Sequence, residues 1–274
     1  MAKRRSPEEG SIHRFLDETG DTTFYGKGRK LIIGEEGVSL CFGLGIVRID
    51  RPLNDVRQEV RALQREVEAD TLLNTIPSVQ KRIGSGGFYF HACKDSPDVR
   101  SVILHYIRDL PCEAEMVVAR KIPKFFRNKH HGGEEEMYGD LLAHLIKNRL
   151  KRAGTLVLNV AERGSSTREK VLTAALELAT ERAGKKWGAK NLKARAVFNI
   201  QNPRTEPLLT ISDYLCWAVQ RVFEKGEMRY YNYLAEKIRL VVDLYDIDKY
   251  EGFRNYYDKK NPLTQANKIG PPVT

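Results

Sequence analysis

Apolar residues along this chain follow two patterns: short apolar or alternating runs, and longer segments with helical spacing. The runs predict β-strands at 12–18, 38–49, 86–93, 112–121, 155–164 and 194–201. The helical spacing predicts helices at 51–73, 94–110, 132–154, 166–188 and 206–226. Because strands cluster first and then alternate with helices, we predict an α/β fold with a mixed sheet flanked by helices.

One folded domain is predicted over residues 12–226, with a different segment at each end. Residues 1–11 form a polar, basic tail that we expect to be disordered. Residues 227–274 form a tyrosine-rich C-terminal extension that includes the strand-like run "IRLVVDLYD". Because tyrosines are amphipathic, we expect this extension to pack on the domain or on a partner, including a second copy of the chain. A stacking surface for bases is the alternative.

The charge balance indicates which partners the chain attracts. The net charge is +10 and the pI is about 9.4, which favours nucleic acid first and anionic membranes second. No run of 18 apolar residues occurs, and no apolar segment follows the basic start, so we expect neither a membrane span nor a secretory signal. The four cysteines lie far apart without a C-x-x-C pair, which indicates free thiols in the cytoplasm.

Asp213 is a candidate site residue because of the helix in which it lies. The predicted helix 206–226 is apolar nearly all round and should therefore be buried. A buried carboxylate is costly unless it is paired or binds a metal ion. Asp213 lies too deep in the helix to cap it, so we favour a functional role over a contact with backbone N–H groups of the helix start.

The first predicted strand ends in the acidic stretch "LDETGD". Alternation places Asp17 on one face of the strand and Glu18 on the other. Asp17 lies further inside the strand, so we favour it as the residue that faces Asp213. Glu18 and Asp21 are better explained as turn residues.

A third acid, Glu162, follows the predicted central strand "TLVLNVAERG" at its carboxyl end. Sites of α/β proteins gather at that edge of the sheet. The alternative is a surface glutamate paired with Arg163 or Arg168. If Asp17, Glu162 and Asp213 meet, they would hold two divalent cations about 3.5–4 Å apart, which activate water for attack on a phosphodiester. Mg²⁺ or Mn²⁺ suits carboxylate ligands.

Two motifs resemble one protein family. The opening "FLDETGD" resembles the F-x-D-E-S-G-D start of the domain-of-unknown-function 3800 family, and "LLTISDYLCWAVQR" resembles that family's L-Q-x-A-D-x-I-A-x-A helix. The similarity spans roughly residues 12–225, with Thr19 in place of Ser, without the Gln, and with Glu162 where an Asp is expected. The resemblance implies an RNase H-like nuclease fold whose acidic residues match Asp17, Glu162 and Asp213, with Glu18 in the signature.

Other residues could support such a site. His91, in "FYFHACKD", would serve as a proton carrier or phosphate contact, although a lone His on an apolar strand is more typical of the core. Ser96 and Pro97 predict a helix start, with Asp95 as part of its cap. Two basic stretches with aromatic residues could bind nucleic acid, or be solvated loops. Their candidate residues are Lys121, Lys124, Arg127 and Lys129 in the first stretch, and Lys185, Lys186, Trp187 and Lys190 in the second.

Together these features favour a metal-dependent nuclease that hydrolyses DNA or RNA, in a defence or mobile-element system. Two other functions stay open. The first is a nucleic-acid-binding module without catalysis. The second is an interaction or toxin subunit that acts through a protein partner at the C-terminal extension.

Overall fold

A mixed β-sheet of seven strands with helices on both faces forms the core of the molecule. The computed structural model describes residues 11–150, 154–161, 167–188 and 194–270. The strands are β1 (Ile12–Gly20), β2 (Cys41–Ile49), β3 (Cys112–Arg120), β4 (Gly154–Ala161), β5 (Ala194–Gln201), β6 (Ile238–Asp243) and β7 (Tyr256–Tyr257). The helices are α1 (Leu53–Ala69), α2 (Pro77–Gly84), α3 (Pro97–Asp109), α4 (Pro123–Lys129), α5 (Glu134–Ile146), α6 (Thr167–Trp187), α7 (Leu209–Lys225) and α8 (Arg229–Leu234).

The strand order is β5-β4-β1-β2-β3-β6-β7. Strand β2 pairs antiparallel with both β1 and β3. Strand β4 is parallel to β1, β5 is parallel to β4, and β6 is parallel to β3. The carboxyl ends of β1, β3, β4, β5 and β6 therefore lie at one edge of the sheet. The predicted α/β class with a mixed sheet is confirmed.

Side chains alternate between two hydrophobic cores, one on each face of the sheet. Phe15 of β1 belongs to the core covered by α1, α3, α7 and α8, and Leu16 belongs to the core covered by α5 and α6. The predicted alternation of β1 is thus confirmed. It places Asp17 on the α7 face and Glu18 on the α5 face.

Several predicted element boundaries are confirmed and others are wrong. The strand prediction at 194–201 matches β5, and α3 begins at Pro97 with the Ser96 hydroxyl accepting a hydrogen bond from Val99 N. Residues 86–93, predicted as a strand, form no regular structure. Gly86 and Gly87 have φ angles of +111° and +114°, which turn the chain away from an extended path. Helix α5 ends at Ile146 rather than at the predicted Gly154.

The C-terminal segment adds to the same sheet. Strand β6 pairs with β3, and β7 pairs with β6. Tyr231 and Tyr257 are buried in the core on the α7 face, and Tyr245 is buried in the core on the α5 face. Residues 1–10 of the predicted disordered tail lie outside the described residues. None of the described helices is both long enough and apolar enough to cross a membrane.

Candidate functional site

Strand β1 carries Asp17 to the edge of the sheet where the parallel strands end. Leu16 pairs with Val160 of β4, so Asp17 lies beside Ala161, the last described residue of that strand. On its other side Asp17 pairs with Gly45 of β2. Asp17 is partly exposed at the point where the pairing of β1 with β4 ends, whereas the pairing with β2 continues to Gly20.

Helix α7 brings Asp213 to the same place by packing closely across β1 and β2. The close approach depends on Gly45, where an added Cβ would lie 2.3 Å from the Cys216 sulfur. Burial raises the pKa of the Cys216 thiol well above its usual value, and the charges of Asp17 and Asp213 raise it further. Cys216 therefore stays a neutral thiol.

Asp17 and Asp213 line one cavity of about 310 Å³. Its walls combine the two acids with an imidazole, an ammonium group and apolar side chains. The other lining residues are Tyr89, Phe90, His91, Lys94, Ala161, Pro203, Leu209 and Thr210. The structure thus brings together three of the predicted site residues, Asp17, His91 and Asp213.

His91 is positioned by the irregular segment that was predicted to be a strand. Asp213 Oδ2 accepts a hydrogen bond of 2.9 Å from Ala92 N, which ties this segment to α7. The same oxygen lies 3.4 Å from His91 Nδ1, a buried nitrogen without a hydrogen-bond partner among the described residues. The contacts of Asp213 within the described part all involve Oδ2, so Oδ1 remains for a ligand.

Asp95 holds the other end of this segment and is not part of the α3 cap, so that prediction is wrong. Its carboxylate is 2% exposed and accepts hydrogen bonds from Arg82, from Tyr214 OH and, at 2.8 Å, from His91 N. Burial raises the pKa of Asp95, although Tyr214 and Arg82 act in the opposite direction. Asp95 and Asp213 together fix the backbone on both sides of His91.

The third predicted metal ligand, Glu162, lies outside the described residues. It follows Ala161, which lines the cavity. Within the described residues alone, no three His, Cys, Asp or Glu side chains lie close enough together to hold a metal ion. A complete set of three carboxylates at this cavity therefore depends on Glu162 and stays a prediction.

The two remaining acids of the opening motif lie away from this cavity. The turn role predicted for Glu18 is wrong, because Glu18 lies inside β1 and pairs with Leu44 of β2. Its Oε1 accepts a hydrogen bond of 3.1 Å from Tyr138 OH on the α5 face. Asp21 accepts from Thr23 N at 2.7 Å and from Ser39 N at 2.7 Å, which agrees with the predicted turn role. Burial acts to raise the pKa of Asp21, but hydrogen bonds from Lys121 and Ser39 outweigh it and lower the pKa.

The first basic stretch divides into buried and exposed cations. Lys121 is 4% exposed and its ammonium donates to Asp21 Oδ1 at 2.8 Å, so it is not accessible to a phosphate. Lys129 pairs with the buried Asp140 at 2.6 Å. Lys124 and Arg127 on α4 are exposed. Phe126 between them is buried, which supports an anchoring role for this aromatic residue rather than base stacking.

The second basic stretch lies at the end of α6. Lys185 and Lys186 are exposed, and Lys185 pairs with Glu181 one turn earlier. The side chain of Trp187 and the whole of Lys190 lie outside the described part. Contact of this stretch with nucleic acid stays a prediction.

Sequence reasoning missed two kinds of residue at the site. Gly45, the second glycine of "CFGLGIV", lets α7 approach, and glycine inside a buried strand is a known signal of such contact. The cavity residues Lys94 and Thr210 belong to no motif that would mark them in the sequence, and it is the fold that brings them to the same cavity as Asp17. No protein-family model and no curated protein matches this chain.

Proposed function

We propose that this protein is a metal-dependent nuclease that hydrolyses phosphodiester bonds of DNA or RNA. The observation that carries the proposal is the meeting of Asp17 and Asp213, from the first strand and a late helix, at one cavity. Sites of α/β proteins commonly lie at the edge where parallel strands end. Among the described residues, Asp213 is contacted by a backbone N–H and an imidazole, whereas the structural acid Asp95 faces Arg82.

The arrangement of strands supports an RNase H-like core. Such a core has three antiparallel strands from consecutive segments, with two further strands added parallel to the first. Strands β1 to β5 follow that order, and β6 and β7 extend the sheet beyond β3. Fold likeness alone does not carry an activity, so the proposal depends on the site.

The donor set fits Mg²⁺ or Mn²⁺, which prefer oxygen ligands. Asp17, Asp213 through Oδ1, and Glu162 would hold the ions. Bound ions of this kind activate a water molecule and stabilise charge on the leaving oxygen. Ala92 N holds Asp213 Oδ2 and so fixes the carboxylate before a ligand arrives.

The remaining cavity residues have roles on the substrate side. His91 is partly exposed beside Asp213, where it can donate a proton or a hydrogen bond to a phosphodiester oxygen. Lys94 is an exposed cation at the cavity and attracts the phosphate. Residues that fix the segment 88–95, above all Asp95, position His91 without touching the substrate.

Cleavage of a panel of single- and double-stranded DNA and RNA tests the proposal. Wild type, Asp17→Asn and Asp213→Asn are compared with Mg²⁺, with Mn²⁺ and with a chelator. Loss of a residue that only orients a metal ligand costs 10–100-fold, so loss of a ligand should reduce the rate by more than about 100-fold. Asp109→Asn removes an exposed carboxylate from the end of α3 and serves as the matched control.

Metal-dependent cleavage by wild type and the control, lost in both site variants, supports the nuclease. Equal cleavage by all four proteins would place the activity elsewhere. No cleavage by wild type, with binding that neither variant changes, would favour the non-catalytic binding module.

A further inference from the structure

A strongly basic surface lies where the loop between β1 and β2 packs on α4. We call it the basic edge surface, and it comprises Lys27, Arg29, Lys30, Lys124 and Arg127, all exposed. Its cations come from two distant parts of the chain. It lies at the same edge of the sheet as Asp17, because β1 and β3 both end there.

Aromatic stacking holds the loop against the helix. The rings of Phe24 and Phe126 are parallel within 7°, with centroids 3.9 Å apart. Arg127 Nη1 donates to Tyr25 OH at 2.8 Å. Tyr25 forms a β-bridge with Leu31, so Lys27, Arg29 and Lys30 form the tip of a short hairpin beside α4.

A buried ion pair anchors the base of the same hairpin. Lys121 Nζ, inaccessible to solvent, donates to Asp21 Oδ1 at 2.8 Å and to Thr23 O at 3.0 Å. Within the first basic stretch, the buried Lys121 therefore holds the loop in place, while Lys124 and Arg127 remain exposed at the surface. Rigid placement reduces the entropy lost when these cations bind a ligand.

The positive charge of this surface is mostly uncompensated. Among the described residues, Lys30 pairs with Glu35 at 2.9 Å, whereas Lys27, Arg29 and Lys124 have no carboxylate within ion-pair distance. Five cations against the two exposed acids of the same loop, Glu35 and Glu36, leave a net positive charge that attracts a polyanion. The regular spacing of charge along a nucleic-acid backbone matches such a surface.

The hairpin tip retains an arginine in a strained conformation. Arg29 has a φ of +59°, in the left-handed region that costs a non-glycine residue about 1–2 kcal/mol. Gly or Asn would adopt this conformation more easily. Replacing Arg29 with Asn therefore removes the charge and is expected to leave the fold intact.

The loop also connects the basic surface to the cavity. It begins after Gly20, at the end of the strand that carries Asp17, and its returning half lines a groove together with His91 and Asp213. Strands β1 and β3 lie two strand spacings apart, about 10 Å. Phe24 and Phe126 belong to the core on the α5 face, whereas Asp17 and Asp213 lie on the α7 face. A nucleic-acid strand therefore reaches both the cavity and α4 by crossing this edge of the sheet.

We propose that the basic edge surface binds the phosphodiester backbone of the substrate beside the cleaved bond. This inference rests on the proposed function for the identity of the polyanion. The surface contributes sequence-independent affinity and orients the strand across the site. Lys27, Arg29 and Lys30 are the residues it adds to the predicted contacts Lys124 and Arg127.

Salt dependence of binding tests the inference. All proteins carry Asp213→Asn and are measured with chelator, so that cleavage does not interfere. Fluorescence anisotropy with a labelled nucleic-acid single strand and its duplex gives the binding constant K at each salt concentration, and hence the slope of log K against log salt concentration. The variant Lys27→Gln, Arg29→Asn, Lys30→Gln should lower the magnitude of this slope by about 2–3, since each lost phosphate contact removes roughly 0.7–0.9.

A matched variant removes the same charge elsewhere. Arg65→Gln, Arg108→Gln and Lys260→Gln neutralise exposed cations on α1, α3 and the C-terminal segment. This control should leave the slope unchanged, and thermal unfolding should show both variants folded. Three results would overturn the inference. The hairpin variant could leave the slope unchanged, the control variant could lower the slope by the same amount, or the parent protein could fail to bind. If only the hairpin variant lowers the slope and wild type cleaves nothing, nucleic-acid binding by the basic edge surface is supported and the proposed nuclease activity is contradicted.

Discussion

Asp213 differs from an ordinary helix carboxylate in the groups around it. It lies on a helix buried on most sides, yet its contacts among the described residues are one backbone N–H and one imidazole rather than a cation. A half-buried carboxylate without an opposite charge keeps its affinity for an added cation. Asp95 shows the contrasting case, since Arg82 already neutralises it.

At this scale Asp95→Asn should strongly destabilise the protein. Arg82 is 5% exposed and would lose its partner, leaving an unpaired buried charge that costs about 3–5 kcal/mol. Urea unfolding measures the change. Tyr214→Phe removes only one donor to the same carboxylate and should cost about 1.5–3 kcal/mol. A loss below about 1 kcal/mol for Asp95→Asn would contradict the ion-pair account.

Among elements, the contact of α7 with β2 sets the geometry of the site. Gly45 faces the helix, and a Cβ atom there would lie 2.3 Å from the Cys216 sulfur. A Cβ atom at Gly43 would instead lie 2.9 Å from the Thr19 methyl group of β1. The strand therefore admits the helix close enough for Asp213 to share a cavity with Asp17. A larger residue on β2 would push the two carboxylates apart.

Gly45→Ala tests this contact directly. Overpacking should destabilise the protein by about 1–3 kcal/mol, measured by urea unfolding. Cys216→Ala removes the clashing sulfur, so in that background Gly45→Ala should cost clearly less. An equal cost in both backgrounds would show that the two residues do not couple.

The elements also show what the sequence could and could not predict. Strands β1 and β5 and the start of α3 follow from alternation and capping, which are local signals. The segment "GGFYFHAC" has the composition of a strand but is held by Glu68, Asp95 and Asp213 instead. Glu68 and Asp213 lie 20 and 121 residues from the N–H groups that they bind, so no local pattern could reveal them.

For the molecule as a whole, the positive charge is concentrated rather than uniform. The net charge of +10 predicted a polyanion partner but could not say which lysines are available to it. Lys121 is buried and Lys129 is paired with Asp140, whereas the hairpin at Lys27–Lys30 is exposed. Burial is a property of the tertiary fold, so this division could not be derived from composition.

The site itself was only partly predictable. Asp17 and Asp213 could be selected from the sequence because each interrupts an apolar element, and both line the cavity. His91 was selected for chemistry but assigned to a strand. Glu162 stays a prediction, since it lies outside the described residues.

The proposed nuclease requires Asp17, Asp213 and Glu162 to bind catalytic divalent ions together. Isothermal titration calorimetry with Mn²⁺ tests this requirement. The proteins compared are wild type, Asp17→Asn, Asp213→Asn and Glu162→Gln, with Asp109→Asn as the control. We predict one or two Mn²⁺ sites in wild type and the control, and a loss of affinity of more than about 100-fold in each site variant. Mn²⁺ binding unchanged by Asp17→Asn and Asp213→Asn would contradict the account.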